Sequence, residues 1–534
     1  MGNGVTKMTE AIKSNLPVFV VIAPLFIAIV LPVFARRIRL AEGMVIFAGV
    51  LGLAGTLFLA HIVLDRNSGT WIYQMGGWPA PWGIELTVGN LAAFFLLVVM
   101  GVSLPVSLFA VGNLTHEVGG KQRTARFYTL FLLLVGALAG MALTNDIFNT
   151  YVLVEVATLS CCGLVSSRRH PRAAEAAFTY LMLATLGSAL VLCGIGFIYT
   201  ITGHLNMGFA SQALNEIWQT KRHVVWMAMS LVFVGFAVKS ALFPLHVWLP
   251  DAHSSAPSPA SAILSGLAIK GYMICLLKFF YSVFGPGLIK EFAMDRLLVL
   301  AGMIAIIAGS VMAIPQDDLK RRLAFSTVGQ AGYIFLGFGL MNKDGLAGAL
   351  FYLASHAVIK STLFLSAGAM ISATKKRKIS ELAGVGRRMP VTMAAFTAAS
   401  LGLIGIPLFS GFIGKWYLIT GSIEAGSFLP TVVIIAGSVL CATYLFPVIR
   451  VAWFESAPKE PQKAAAQETG DAAVQRETAE VQEGPVQHGQ LKDPGILQKL
   501  ALVLLTVAII VLGTVPGPLL ELAKRAAAEL LVLR

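Results

Sequence analysis

The sequence is poor in charged residues, and this shortage excludes a soluble protein. Asp, Glu, Lys and Arg make up only 13% of the 534 residues, against 57% for the hydrophobic ones. With a mean hydropathy of +0.78, the chain lies far outside the range of soluble globular proteins. Long apolar runs separated by short polar segments therefore predict an all-α polytopic membrane protein, with the lipid bilayer as its surroundings.

Cysteine is also scarce, and its placement excludes the usual disulfide and metal sites. The five cysteines lie within apolar runs, without a CxxC pair or a metal-ligand spacing, so no disulfide framework, zinc site or iron–sulfur cluster is indicated. Nucleotide-binding loops, HExxH pairs and nucleophile elbows are missing as well. We therefore expect no cofactor in this chain, and its own sequence leaves open whether it belongs to an enzyme. The cysteines are Cys161, Cys162, Cys193, Cys275 and Cys441.

Acidic residues are outnumbered, with 27 Asp and Glu against 40 Lys and Arg. Such an excess is compatible with nucleic-acid binding, but the basic residues fall in short clusters between apolar runs and not on one polar domain. A membrane topology explains them better, so no nucleic acid is expected as a partner. Because a span needs about 20 apolar residues, the sequence predicts about fourteen spans. They lie at 16–34, 41–64, 88–111, 127–144, 147–166, 178–201, 225–243, 260–284, 296–315, 323–341, 345–373, 391–420, 428–454 and 497–516.

The basic clusters also predict which loops face the cytoplasm. Loops after odd-numbered spans carry eighteen Lys and Arg, and loops after even-numbered spans carry six. Lys and Arg are enriched in cytoplasmic loops, so the odd loops are predicted inside and both termini outside. The first run lacks a convincing cleavage site and is interpreted as a span. The hydrophilic stretch 456–494 is predicted to be a cytoplasmic linker or surface helix.

Two of the predicted spans are interrupted. Span 7 runs into "FPLHVWLPDAHSSAPSPAS", whose four prolines prevent a regular helix. Span 12 contains Gly405, Pro407 and Gly411 shortly before Lys415. Paired broken segments in two halves of a chain point to a transport path. The halves echo each other only weakly, in "AAFTYLMLATLGSA" and "LAFSTVGQAG", so an internal repeat stays open on this ground.

Three ionisable residues stand within apolar runs, far from the predicted helix ends. They are Glu155 in span 5, Lys239 in span 7 and Lys270 in span 8. A charge in mid-membrane costs roughly 2.5 to 3.5 kcal/mol, so such residues usually face protein or water and have a function. Glu155 is interpreted as a titratable group in a proton path or as a structural partner of a lysine. Burial disfavours the charged form of a lysine and a nearby carboxylate favours it, which supplies the components of a proton switch.

Further candidates follow along the chain. His356 and Lys360 are four residues apart and therefore share a helix face, which suits a proton relay, although a lone intramembrane histidine is often a core residue. Lys415 follows the break in span 12, where it is a relay candidate or reaches the surface from a helix end. His246 and His253 flank the break in span 7, where either serves proton uptake or caps irregular backbone.

Long motifs around these residues resemble the antiporter-like subunits shared by respiratory complex I, Mrp sodium/proton antiporters and membrane-bound hydrogenases. The resemblance covers about residues 80 to 455. The motifs that carry it are "NDIFNTYVLVEVATLSCCGLV", "GFAVKSALFPLHVWLPDAHSSAPSPASAILSGLAIKGY", "QDDLKRRLAFSTVGQAGY", "SHAVIKSTLFLSAGAMI" and "GLIGIPLFSGFIGKWYL".

The resemblance implies a fourteen-helix fold with two inverted five-helix repeats and broken helices 7 and 12. Glu155 and Lys239 then match the family's coupling ion pair, Lys270 its bridging lysine, His356 a central relay, and Lys415 the lysine that exchanges protons with the outside. The implied divisions are 1–126 (helices 1–3), 127–284 (first repeat), 296–454 (second repeat), 456–494 (linker) and 497–534 (helix 14).

Departures from the family pattern concern the subtype. Lys415 stands where the M-type subunit of complex I has an acid, and Gln330 where that subunit has histidine, so both favour a D-type Mrp or hydrogenase-like subunit. The family often has Asp where this chain has Asn90.

The leading interpretation is a proton-translocating subunit of a membrane complex, in a prokaryotic cytoplasmic membrane, driven by redox chemistry in partner subunits. The alternatives are a D-type subunit of an Mrp antiporter that also moves sodium, a non-conducting scaffold subunit, and a stand-alone transporter.

Overall fold

A computed structural model describes residues 2–65, 70–112, 114–456 and 492–532. The predicted linker at 456–494 falls almost wholly outside these residues. The described part contains twenty α-helices and one β-hairpin. The helices are α1 (Gly2–Val30), α2 (Ile38–Asp65), α3 (Asn90–Ala110), α4 (Leu114–Val118), α5 (Lys121–Leu143), α6 (Ile147–Val165), α7 (Pro171–Thr202), α8 (Met207–Ile217), α9 (Arg222–Lys239), α10 (Trp248–Ser255), α11 (Ser258–Glu291), α12 (Met294–Ala313), α13 (Leu319–Gly339), α14 (Lys343–Thr374), α15 (Val385–Arg388), α16 (Pro390–Ile404), α17 (Ser410–Glu424), α18 (Phe428–Phe454), α19 (Ile496–Thr514) and α20 (Gly517–Val532). Strands β1 (Trp71–Gln74) and β2 (Glu85–Val88) pair antiparallel.

The predicted all-α membrane architecture is confirmed. Twelve of the described helices are long and apolar enough to cross a membrane. Two predicted spans differ from these twelve for visible reasons. Span 10 corresponds to α13, which is less apolar because three consecutive basic residues lie in its first turn. Span 12 is divided into α16 and α17, each of 15 residues and each too short to cross alone.

Side-chain caps begin several helices where the sequence changes from polar to apolar. The Asp146 side chain accepts a hydrogen bond from Asn149 N (2.7 Å) at the start of α6. Asp318 caps α13 and Asn342 caps α14 in the same way. Short polar side chains at these positions satisfy main-chain amides that the first helical turn leaves unpaired.

The break in span 7 ends α9 earlier than the sequence suggested. Lys239 is the last residue of α9, so it lies at a helix end and not in the middle of a continuous span. Its side chain is nevertheless buried and does not reach the surface. The chain then turns through Ala241, with φ +54°, and resumes as α10.

The centre of the molecule consists of α11 and α14. The apolar window of α11 is buried throughout, and most of that of α14 is buried as well. Two π-helical turns, Leu264–Ala268 and Phe279–Phe284, interrupt α11. These two central helices carry three of the candidate residues, namely Lys270, His356 and Lys360.

Contacts between loops define two ends of the bundle. At one end, Asp318 forms a β-bridge with Lys378, and Arg377 donates a hydrogen bond to Ser254 O (2.8 Å). We call this end the basic face; it comprises 116–119, 168–173, 254–258, 317–321 and 375–378. At the other end, the hairpin 71–88 meets 144–146 and 205–207 through further bridges and main-chain bonds. We call this end the hairpin face.

Candidate functional site

A carboxylate and a lysine from distant parts of the chain meet between α6 and α9. Lys239 Nζ lies 3.4 Å from Glu155 Oε1 and 2.8 Å from Thr158 Oγ1. The hydroxyl of Ser188 on α7 also donates to Glu155. The Lys239 side chain is fully buried, whereas that of Glu155 is 28% exposed. A carboxylate at the surface can move away from a buried lysine, and the lysine would then keep its charge at a high desolvation cost.

Thr158 leads from this pair towards α11. Its Oγ1 lies 3.4 Å from the hydroxyl of Tyr272, whose ring centroid is 5.5 Å from Lys239 Nζ. Lys270 precedes Tyr272 by two residues and is also buried. Its ammonium donates to Ser265 O, a carbonyl of the first π turn. Single π turns inside α-helices often occur at functional sites, and this one supplies the acceptor for Lys270.

Hydrogen bonds then connect α11 with α13 and α14. The hydroxyls of Ser265 and Thr327 lie 2.9 Å apart, and Thr327 donates to Leu323 O at 3.0 Å. The same carbonyl accepts a hydrogen bond from Lys360 Nζ at 2.8 Å. Lys270 and Lys360 are therefore attached to one group of main-chain and hydroxyl oxygens, and the charge of Lys360 acts on Lys270.

His356 lies one helical turn before Lys360 on α14 and is fully buried. Neither of its ring nitrogens has a hydrogen-bond partner among the described residues. Its imidazole lies parallel to the ring of Tyr352, with a centroid separation of 6.1 Å and an angle of 6°. The Tyr352 hydroxyl points elsewhere and donates to Gln330. The charges of Lys270, Lys360 and Lys415 all act on His356.

Lys415 lies beyond this histidine, in the second turn of α17. Its Nζ donates to the carbonyls of the last two residues of α16, at 2.9 and 3.0 Å, and to Ser438 Oγ at 2.9 Å. The ammonium also lies 4.7 Å from the ring centroid of Tyr333 and 5.8 Å from that of Tyr352. Lys415 is buried, so it caps the broken helix from inside and does not reach the surface.

The two histidines near the break in span 7 have different surroundings. His246 packs against the rings of Phe243 and Phe325. His253 is fully buried and stacks on Phe364 with a centroid separation of 4.9 Å. Lys360 Nζ lies 5.9 Å from the centroid of the same phenyl ring, so His253 is next to the row of lysines.

The structure brings six predicted residues into one row, Glu155, Lys239, Lys270, Lys360, His356 and Lys415, which we call the buried basic row. Sequence reasoning missed the neutral residues that connect them. Uncharged Ser, Thr and Tyr residues carry no signal in an apolar span, because a serine or threonine can satisfy its own hydroxyl on the preceding helical turn. The connecting residues are Thr158, Ser188, Tyr272, Ser265, Thr327, Ser326, Tyr352, Tyr333 and Ser438.

No group of three or more His, Cys, Asp or Glu side chains in the described part of the chain is arranged to hold a metal ion. The buried basic row consists mainly of nitrogen donors with one carboxylate at its end. Such a row is suited to passing protons, because each lysine or histidine has a neutral and a charged form.

Comparisons with known proteins agree with the motifs. Residues 144–441 match the family described as "NADH:quinone oxidoreductase/Mrp antiporter, TM". The N subunit of the NADH-quinone oxidoreductase of Desulforudis audaxviator is 37% identical over 458 residues, which cover 84% of this chain and 89% of that protein. The D subunit of the Na(+)/H(+) antiporter of Alkalihalophilus pseudofirmus is 28% identical over 453 residues, which cover 84% of this chain and 89% of that protein. The relatives thus include both an N subunit of an NADH-quinone oxidoreductase and a D subunit of a Na(+)/H(+) antiporter.

Solved structures give the same result. A chain of the membrane-bound sulfane sulfur reductase, an archaeal respiratory membrane complex, is 27% identical with a TM-score of 0.84, and the match covers 97% of this chain and 98% of that one. A chain of the Mrp complex from Dietzia sp. DQ12-45-1b has the same identity and TM-score, with 98% of each chain covered. Both neighbours come from multi-subunit complexes. This chain therefore belongs to the family of antiporter-like membrane subunits shared by NADH:quinone oxidoreductases and Mrp antiporters.

Proposed function

We propose that this chain carries protons across a membrane along the buried basic row. The observation that carries the proposal is the Glu155–Lys239 ion pair at one end of a row of buried lysines and a histidine. Charged side chains inside a membrane protein are costly, and a non-conducting scaffold has no use for so many. The scaffold alternative is therefore not favoured.

The ion pair is proposed to act as the coupling switch. Contact with Glu155 stabilises the charged form of Lys239. When the carboxylate moves away, the desolvated ammonium is destabilised and gives up its proton towards Lys270. Positive charge arriving at Lys270 in turn disfavours a proton on Lys360 and His356, because like charges repel in a medium of low dielectric constant. The proton on Lys415 is thereby released to the opposite side.

The orientation of the chain in the membrane is proposed from the charges of its loops. The basic face is proposed to lie in the cytoplasm, since it carries the excess of Lys and Arg, with both termini on the outside of a prokaryotic cytoplasmic membrane. The two inverted repeats, 127–284 and 296–454, are proposed to flank the row, with helices 1–126 and 497–534 beside them.

Energy for uphill transport is proposed to come from partner subunits. Moving one proton against 100 mV costs roughly 2.3 kcal/mol. In a redox complex, electron transfer in other subunits supplies this work. The second candidate is a D-type subunit of an Mrp antiporter, in which sodium ions are exchanged for protons across the membrane. It is favoured by the relative that is 28% identical and belongs to a Na(+)/H(+) antiporter, and by the Mrp structural neighbour.

Ion flux in sealed vesicles that contain the native complex tests the proposal. Proton and sodium fluxes are compared for the wild type and for Lys239→Ala, with and without electron donors of the NADH or reduced-ferredoxin type. Lys290→Ala is the matched control, because Lys290 is an exposed lysine. Amounts of assembled complex are measured for each variant.

Each outcome has a distinct meaning. Donor-dependent proton uptake that is lost in Lys239→Ala and kept in Lys290→Ala supports a redox-driven subunit. Sodium/proton exchange without any donor supports the Mrp alternative. Unchanged flux through an assembled Lys239→Ala complex would restore the scaffold interpretation.

A further inference from the structure

The basic face contains a large polar cavity that the buried basic row does not use. Its volume of about 700 Å³ gives room for roughly 20 water molecules at about 30 Å³ each. Exposed side chains such as Arg169 and Arg172 lie at its rim, so it opens to solvent. It is lined by His116, Glu117, Gly119, the segment 168–173, Ser254, Ser255, Asp317, Asp318, Arg321, Arg377 and Lys378.

A second cavity of about 220 Å³ extends from the first towards the interior. The two share His116, Glu117, Arg168 and Arg377, and the smaller one reaches Ser258 and Lys320. Together they lead from the loops of the basic face to the start of α11 and α13.

Glu117 and Lys320 both line the inner cavity of this passage. Glu117 Oε2 accepts hydrogen bonds from Ser258 N at 2.9 Å and Ser258 Oγ at 3.3 Å. Lys320 is 2% exposed, and its Nζ donates to Ala256 O at 3.0 Å. The carboxylate of Glu117 acts electrostatically on Lys320. A nearly buried lysine that shares a polar cavity with a carboxylate has solvent on one side and the protein interior on the other.

His253 lies on the interior side of this pair. The segment 253–256 contains both His253 and the carbonyl that Lys320 contacts, and the charges of Lys320 and Lys360 both act on the imidazole. His253 and Lys360 pack against the same ring, Phe364. A series of titratable side chains, Glu117, Lys320 and His253, therefore leads from the cavity to Lys360 in the buried basic row.

We propose that Glu117 and Lys320 form the proton-uptake station of this chain, which takes protons from the cavity and passes them through His253 to Lys360. The inference rests on the proposed proton transport and names where its protons come from. A hydronium ion or buffer acid in the cavity gives its proton to the Glu117 carboxylate and leaves as water or as the conjugate base, and Glu117 transfers the proton to the neutral amine of Lys320. It then moves to an imidazole nitrogen of His253, and each donor returns to its previous form. Both ring nitrogens of His253 are without a hydrogen-bond partner among the described residues, so the imidazole is able to accept.

Several charges surround the station and set its pH dependence. Glu117 is on α4, and Asp318 is at the N-terminus of α13 beside Lys320. His116 precedes Glu117 on α4 and lines both cavities, Arg168 precedes α7, and Lys375 and Arg377 follow α14. Arg377 is itself paired with Asp318 at 2.9 Å. The cationic side chains disfavour the charged form of Lys320. This favours transfer of its proton to the next group.

Proton uptake by the native complex in sealed vesicles tests the station as a function of pH on the cavity side. Glu117→Gln and Lys320→Met are expected to slow uptake about tenfold or more, as for the loss of a general acid or base. Their rates are expected to fall about tenfold per pH unit, because uptake then depends on hydronium ion, while the wild-type rate changes little around neutral pH. Acetate added to the cavity side is expected to restore uptake in Glu117→Ala, because the cavity admits a small carboxylic acid.

Two matched controls lie on the same face. Asp251 is an exposed carboxylate paired with Arg321 at 3.7 Å, and it does not line either cavity. Lys376 is an exposed lysine next to Arg377. Asp251→Asn and Lys376→Met are expected to keep the wild-type rate and pH profile.

The outcomes separate the station from the transport that it serves. Wild-type rates and pH profiles in both Glu117→Gln and Lys320→Met would overturn the station. Slow uptake in Glu117→Ala would also overturn it if the wild-type pH profile were kept and acetate did not restore the rate. Unchanged flux in Lys239→Ala would instead refute the proposed function. If the variants do not assemble, a water-soluble carbodiimide is used on the wild type; full uptake by complexes with modified Glu117 would overturn the station.

Discussion

Lys278 and Lys239 are both buried lysines, but their surroundings differ. Lys278 donates to Met141 O at 3.2 Å, to Ala142 O at 3.3 Å and to Thr144 O, so it caps the end of α5. Lys239 has instead a carboxylate that borders the surface. Lys278 thus stabilises a helix end, whereas Lys239 is proposed to change its protonation when Glu155 moves.

Lys278→Met is expected to reduce stability without altering transport per assembled complex. Each carbonyl left unsatisfied in the interior costs about 1–3 kcal/mol. The expected result is a lower midpoint of thermal unfolding of the purified complex and less assembled protein, with Lys290→Met unchanged. A normal unfolding midpoint together with reduced proton flux would place Lys278 in the proton path.

Tyr352 is the side chain that separates His356 from Lys415, and Tyr352→Phe tests its hydroxyl. The substitution keeps the ring between His356 and Lys415 and removes the hydrogen bond to Gln330. Proton flux is expected to fall about tenfold, with assembly unchanged. This is less than the roughly hundredfold or larger loss that follows removal of a general acid or base.

The matched control for this hydroxyl is Tyr281→Phe. Tyr281 is equally buried and donates to Phe338 O at 2.6 Å, away from the row. Its loss removes one buried hydrogen bond of the same kind and is expected to leave flux per complex unchanged. Equal losses of flux in both variants would show that only packing was affected.

At the scale of elements, breaks in helices provide the acceptors that the lysines use. The π turn of α11 supplies a carbonyl to Lys270, and the interrupted end of α16 supplies two to Lys415. In a regular helix each carbonyl already accepts a main-chain hydrogen bond, whereas a break leaves carbonyls without that partner. The irregular backbone is therefore part of the site, as expected where non-helical backbone lies inside protein.

Gly405→Ala tests the break between α16 and α17. Gly405 has φ +92°, and a Cβ there would lie 3.0 Å from Lys415 Cδ. A left-handed conformation costs a residue with a Cβ about 1–2 kcal/mol, and the lysine has to shift as well. We expect a lower unfolding midpoint and reduced proton flux.

Gly196→Ala provides the comparison for this glycine. Gly196 lies inside α7, and a Cβ there meets nothing within 4 Å. Its substitution is expected to be neutral or to stabilise by up to about 1 kcal/mol, because alanine favours helix. A destabilisation equal to that of Gly405→Ala would mean that the break has no special requirement for glycine.

At the scale of the whole molecule, Glu155 lies at an outer face. Glu155 is on a side of α6 where Phe148, Val152 and Leu159 are also exposed. An apolar face with one carboxylate suits contact with another membrane protein. Both solved neighbours come from multi-subunit complexes, so movement of Glu155 is expected to depend on a partner.

The isolated chain is therefore expected to lack uphill transport. Purified chain in vesicles should show no proton accumulation on addition of an electron donor, while the native complex should show it, because the roughly 2.3 kcal/mol per proton at 100 mV has to be supplied from outside the chain. Donor-independent proton uptake against a gradient of another ion by the chain alone would support a stand-alone transporter.

Much of the site was predictable because membrane spans constrain charge so strongly. Glu155, Lys239, Lys270 and Lys415 stand out in apolar runs, and prolines and glycines mark both breaks. The end of α9 at Lys239 was not predicted, since the apolar pattern continues through 236–243. The linking hydroxyls were also missed, because serine and threonine are tolerated in any span.

The sequence by itself determined that the chain is a multi-pass membrane protein of this family with a set of ionisable residues in its spans. Only the tertiary structure decided which of them meet. Glu155 and Lys239 are 84 residues apart in the chain, and His253 packs against Phe364, the ring that Lys360 also contacts. Hydropathy acts along a single helix, whereas hydrogen bonds and ion pairs depend on which helix faces pack together, and that is a property of the folded bundle.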